Sequence, residues 1–258
     1  GGEDGGHRRK PLVYIGGLTE LSLAANLLKA IPPDALTPLA PTLTVLRLER
    51  NELTDLPHEM SACDRLTDLD LSENKFTAFP PALRINRWQS LTRLNLAGNK
   101  LCSIPVAVCS LFSLRDLGLS YNVLTALPAE IGQLKALTRL SLHHNRLSAL
   151  PTTVGGLPRL TELTLNDNEL WVLPRELGDI EGLQTLTTGC NPLMIPPPGV
   201  CRKGPSAVRS YLLALKHHKD GLHSALVFGG GFGGLHYGQT VRGGRSDEGG
   251  DSEVDGAV

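Results

Sequence analysis

The chain has 258 residues, of which 49 are leucine and 11 are aromatic. Its 25 basic and 26 acidic residues leave a formal net charge of −1, so no global field draws it to nucleic acid or to an anionic membrane. An apolar content of 41% supports a core, and a core made mostly of leucine argues for one small unit used many times.

Residues 1–17 open the chain as a glycine-rich, charged flank, expected to be partly disordered. No apolar stretch stands behind its charges, so no secretory signal is expected there. From Leu18 a single pattern recurs, L-x-x-L-x-L-x-x-N-x-L, with copies opening at Leu18, Leu43, Leu66, Leu91, Leu114, Leu137, Leu160 and Leu183. The spacing is 23 residues, stretched to 25 in two units. Within a unit, Leu117 and Leu119 alternate as a short strand requires, and Leu124 and Leu127 point back inside. No unit can bury its leucines alone, so the units must stack, with their strands side by side and parallel.

Two further columns run through the array. Asn26, Asn51, Asn74, Asn99, Asn122, Asn145, Asn168 and Asn191 close the strands and are expected to satisfy backbone groups at each turn. Pro32, Pro57, Pro80, Pro105, Pro128, Pro151 and Pro174 lack a donor and fix φ, which predicts an extended convex side with short helical turns at most. The insertion at Arg84-Ile85-Asn86-Arg87-Trp88 is expected to bulge on that side and leave Trp88 partly exposed. The repeats are placed at 18–204, the last one degenerate, ahead of a cap helix at 205–218 whose apolar face is Val208, Tyr211, Leu212 and Leu215. Residues 219–258, rich in glycine and then acidic, are expected to be a disordered tail.

Catalytic motifs are missing. Gly229 and Gly234 have the spacing of a phosphate loop, but Leu235-His236 follow where Lys-Ser/Thr would be needed. Adjacent His143 and His144 alternate faces of a strand and do not suit one metal. The five cysteines are scattered, odd in number and without a C-x-x-C pair, which points to a reducing compartment. No cofactor and no metal are expected, and no apolar run is long enough to span a membrane.

The informative surface is the outward face of the strands, at the third, fifth, seventh and eighth places of each unit. The third-place column reads Glu20, Val45, Asp68, Arg93, Asp116, Arg139, Glu162, Thr185, with strict sign alternation from Asp68 to Glu162. Strands about 4.8 Å apart would pair these charges across the sheet. The candidate partner-binding set is Arg47, Arg50, Asp68, Asp70, Arg93, Asn95, Asp116, Tyr121, Arg139, His143, His144, Glu162 and Asn166. Arg and Tyr are frequent anchors of protein interfaces.

The repeat resembles the leucine-rich-repeat family. That resemblance implies an α/β solenoid: a horseshoe with a parallel concave sheet and an irregular or short-helical convex side. The phrasing Leu127-Pro128-Ala129-Glu130-Ile131-Gly132-Gln133-Leu134 looks like the intracellular Ras-group class, whose members scaffold small GTPases, kinases or phosphatases. The closing stretch Asn191-Pro192-Leu193, Pro196-Pro197 and Gly204 to Tyr211-Leu212 resembles the end of the repeats in Roco proteins, where a GTPase domain follows; here a glycine-rich tail follows instead. The expectation is a monomeric, cytoplasmic, non-catalytic interaction module. The alternative is the sensor region of a larger Roco-type GTPase or kinase without its catalytic domain.

Overall fold

The computed structural model describes residues 17–217. The expected tail at 219–258 and all but the last residue of the 1–17 flank lie outside them. Eight three-residue strands follow in chain order: β1 Glu20–Ser22, β2 Val45–Arg47, β3 Asp68–Asp70, β4 Arg93–Asn95, β5 Asp116–Gly118, β6 Arg139–Ser141, β7 Glu162–Thr164 and β8 Thr185–Thr187. They form one parallel sheet in sequence order. The register is strict, so that third-place residues pair with third-place residues throughout. This is the solenoid the leucine spacing predicts.

The physical reason lies in the columns. The leucines at the first, fourth and sixth places of the inner units are fully buried, and so are those that follow the asparagine, such as Leu124 and Leu147. Each is unremarkable alone; stacked, they form one continuous core. The asparagines do what the sequence leads one to expect. Asn122 Nδ2 donates to the carbonyls of Leu96, Leu119 and Ser120, at 2.9, 3.1 and 3.2 Å. Its Oδ1 accepts the Leu101 N–H at 3.0 Å. Each inner asparagine thereby ties its own turn to the unit before it.

On the convex side the prolines of the five 23-residue units, Pro57, Pro105, Pro128, Pro151 and Pro174, sit in extended backbone, as at Pro128 with φ −63° and ψ 145°, and each releases the chain into a five-residue 3₁₀ turn. Short turns close the unit at 23 residues; a longer helix would force the units apart. The first long unit uses its extra residues in α1, Pro33–Leu36. The second corrects an expectation. Its insertion folds as a 3₁₀ turn at Ile85–Arg87, and Trp88 is fully buried. Trp88 stands three residues before Leu91, as Cys63 stands before Leu66 and Leu111 before Leu114, so it fills a core column. Its indole N–H donates to the Met60 carbonyl at 3.3 Å. The neighbouring unit holds only Cys63 in that column, and small beside large lets the ring fit.

After β8 the chain makes α2, Pro198–Cys201, and α3, Pro205–His217. Val208, Leu212 and Leu215 of α3 are buried and Tyr211 is partly so. The helix packs over the last 3₁₀ turn, Arg175–Asp179, held by Lys216 on Asp179 at 2.7 Å and Arg209 on Glu181 at 3.4 Å. It covers leucines that the last unit would otherwise expose. No helix among the described residues is long and apolar enough to cross a membrane.

Candidate functional site on the concave sheet

The strands place every third- and fifth-place side chain on one face. In the third column the expected charge ladder forms along three rungs. Arg93 lies 3.7 Å from Asp68 and 3.9 Å from Asp116, and Arg139 reaches Asp116 at 2.7 Å. The Asp116 carboxylate, bonded by two nitrogens of Arg139, raises the hold of that guanidinium on its proton and keeps it charged. The alternation promised a fourth rung, and it is not made: among the described residues Glu162 has no ion-pair partner within 4 Å, because Arg139 turns to Asp116 instead. Arg47 likewise makes no such pair and is exposed.

Asp70 departs from its expected role as an open contact. It is buried at 7% exposure. One carboxylate oxygen accepts from the Ser72 N–H and hydroxyl at 2.9 and 2.6 Å, and the other from Asn95 at 2.9 Å. Asp70 therefore positions Asn95 and offers little to a partner. Asn95 in turn lies over the next strand, where a Cβ on Gly118 would come within 2.5 Å of its oxygen. The glycine is what leaves room for that carboxamide.

The eighth place does something the period-two reading did not show. Ala25, Arg50, Glu73, Tyr121, His144, Asp167 and Cys190 all have φ between 52° and 57°, and Gly98 has φ 67°. These residues are left-handed turns, made tolerable by the asparagine that follows and bonds the carbonyls before them. The only sequence trace was a glycine, Gly98, sitting in that column. The turn aligns the side chains of neighbouring units. Arg50 pairs with Glu73 at 3.1 Å. Tyr121 stacks on His144 at 4.3 Å, and His143 meets Tyr121 edge-on at 5.2 Å. His144 lies 3.4 Å from Asp167, and His143 Nδ1 is 3.0 Å from the Thr164 hydroxyl. Burial, and then the neighbouring His144, push the His143 imidazole below its ordinary value. The two histidines, expected on alternate faces of a strand, are joined to Tyr121 in one aromatic cluster.

The candidate residues thus resolve into two groups. Asp68, Asp70, Arg93, Asn95, Asp116 and Arg139 form a polar network in the middle of the sheet. Tyr121, His143 and His144 form an aromatic edge, with Tyr121 56% exposed. Asn166 stands apart, accepting the Gly189 N–H at 3.2 Å. Sequence reasoning also passed over Trp171, Val172 and Met194, large apolar side chains left exposed on the flank of the last two units. In earlier units the column of Trp171 and Met194 holds Thr77, Cys102, Thr125 and Ser148, and the column of Val172 holds Ala78, Ser103, Ala126 and Ala149, so the change was visible in the columns.

Solved structures share this architecture. A leucine-rich-repeat protein of Leptospira interrogans superposes with a TM-score of 0.63 at 35% identity, covering 67% of this chain and 43% of that one. An internalin of Listeria monocytogenes gives 0.60 at 23% identity, over 67% of this chain and 48% of its own, and shows the fold alone. The repeat ectodomain of the plant membrane receptor kinase GASSHO1/SCHENGEN3 from Arabidopsis thaliana, solved in complex with CASPARIAN STRIP INTEGRITY FACTOR 2, gives 0.54 at 28% identity, over 68% and 24%. The chain spans less than half the length of each. No curated protein matches it in sequence. One family model, described as leucine rich repeat, matches residues 16–83, and another, described as leucine-rich repeat region, matches residues 82–193. Between them they cover well over half of the sequence, and the chain belongs to the leucine-rich-repeat family.

Proposed function

We propose that this chain is a non-catalytic module that binds a protein partner along its concave sheet. One observation carries the reading. The buried columns repeat almost unchanged from unit to unit, while the concave columns differ in every unit and bring an exposed tyrosine, two histidines and paired arginines to one surface. Eight strands about 4.8 Å apart make a ridge of roughly 35 Å, enough for about 800 Å² of contact. The plant ectodomain similar to this chain is itself solved with a partner bound.

The finer reading is an intracellular scaffold or adaptor in signalling, cytoplasmic, with a small GTPase, kinase or phosphatase as partner. The Leu-Pro-x-x-Ile-Gly-x-Leu phrasing of the fifth unit supports it, as do five cysteines standing as free thiols. Burial pushes the Cys63 and Cys109 thiols up to about 11, which keeps both protonated and inert.

The test uses the full chain with a photo-cross-linking residue at Ser141 on the concave face, or at Thr152 on the convex face. Capture of a protein from Ser141 and not from Thr152 is expected. The triple substitution Arg93→Ala, Tyr121→Ala, Arg139→Ala should lower that capture at least tenfold with the fold intact. Equal capture from both positions, or capture indifferent to the triple substitution, rejects the site.

A further inference from the structure

The eighth unit breaks the repeat in a way that makes a cavity. Its sixth place holds Thr188, where the other seven units hold Leu23, Leu48, Leu71, Leu96, Leu119, Leu142 and Leu165. The seventh place is Gly189, which adds no side chain. Between this stretch and the cap lies a half-open cavity of about 470 Å³. That is far more than one water occupies and falls within the range of small-ligand sites.

Its lining is chemically one-sided. No carboxylate lines it, although the concave columns beside it carry both signs. Arg202, exposed at the end of α2, supplies a guanidinium that makes no ion pair among the described residues. The hydroxyl of Thr187 is buried without a hydrogen-bond partner, an uncommon condition for such a group. Leu186 and Leu193 give apolar wall.

We propose that this cavity binds a carboxylate carried on a small apolar body. Arg202 takes the carboxylate through charge-assisted hydrogen bonds, the Thr187 hydroxyl supplies a further donor, and the leucines contact the apolar part. The cavity opens beside the last strand of the concave sheet and shares Asn166 with the candidate set, while Arg202 and Thr188, the two residues its test changes, lie outside that set, so the two readings fail separately. The carboxylate can belong to a free small acid or to the end of a polypeptide.

The experiment follows backbone amide shifts of the full chain by NMR on titration with 3-phenylpropionate and, separately, 3-phenylpropanamide. Saturable shifts at Thr187, Thr188 and Gly189 are expected with the acid, and at least tenfold weaker binding with the amide. Thr188→Leu restores the residue of the other units and fills the space; it should keep or raise Tm and abolish the shifts. Arg202→Gln, an exposed change that leaves the fold intact, should weaken binding at least tenfold. No saturable shift in the natural chain, equal binding of acid and amide, or binding that survives both substitutions overturns the proposal. A glycine-serine heptapeptide ending in a free phenylalanine carboxylate, against its C-terminal amide, separates the sources. Binding of the peptide acid assigns the site to a chain terminus, and binding of 3-phenylpropionate alone assigns it to a small acid.

Discussion

The inside of this solenoid and its concave face are built from the same 23-residue period and behave in opposite ways. Inside, the period is a constraint. A leucine at the fourth place has the same neighbours above and below in every unit, so one residue type suits all of them. Outside, the period supplies only a coordinate. The third place can be Asp, Arg or Thr, because water covers it and only the adjacent strand constrains it. Stability should therefore respond to the inner columns, and recognition to the outer ones.

The largest effect tests the inner half. Leu117 is fully buried at the centre of the array. Leu117→Ala should cost about 3 to 4 kcal/mol, read as a fall in the urea midpoint, since truncation removes apolar contact and leaves a void. A cost below about 1 kcal/mol would mean that units slide to fill the gap, and the continuous core would be the wrong picture.

The asparagine column sharpens the same contrast. Asn122→Ala strands one buried N–H, that of Leu101, and takes one of two donors from the carbonyls of Leu96, Leu119 and Ser120, which keep Asn99, Asn145 and the Gly98 N–H, for an expected loss of about 2 kcal/mol. Asn122→Asp keeps the size but turns a charged acceptor towards those carbonyls, and should be no milder. Asn26 occupies the same column in the first unit, yet it is exposed and among the described residues bonds only Leu23 and Ala24. Asn26→Ala should cost under about 1 kcal/mol. Equal losses at the two positions, measured by chemical denaturation, would show that the turn itself and not the tie between units is what the asparagine supplies.

The fold was legible in the sequence because its causes are local and repeated. Leu117 and Asn122 announce their roles by recurring. The site was legible only where a pair can be inferred from register, as at Asp116 and Arg139. What stayed hidden had causes that cross units without repeating. Asp70 looks like an open acid until Ser72 and Asn95 close around it. Trp88 looks like an insertion until its distance to Leu91 is counted. The Tyr121–His144 stack depends on a left-handed turn that alternation along a strand does not suggest.

Arg139 tests the outer half, where the effect on stability should be small. Its side chain is about half exposed, and its bond to Asp116, though 2.7 Å long, is bathed in solvent. Arg139→Ala should change stability by less than about 1 kcal/mol. The same change is expected to weaken partner capture at the concave face several-fold. A large loss of stability without loss of capture would reverse the division between the two faces.

The smallest expected effect is a pH dependence at the edge between them. His143 is half-buried, with Tyr121 and His144 beside it, Thr164 on its Nδ1, and Asp167 near enough to offset part of the shift. Its folded-state pKa lies below the ordinary value of 6.5, so between the two values the folded chain holds fewer protons than the unfolded one. Stability from this group is therefore complete above pH 6.5 and declines as the pH falls through the window beneath it. His143→Gln keeps a polar side chain that does not titrate, and the variant's urea midpoint should fall less than that of the natural chain between pH 7.5 and 5. Matching profiles would place the imidazole in open water, and with it the aromatic edge. A flatter profile in the variant keeps His143 packed against Tyr121, where the inner order of the repeat extends a short way into its variable face.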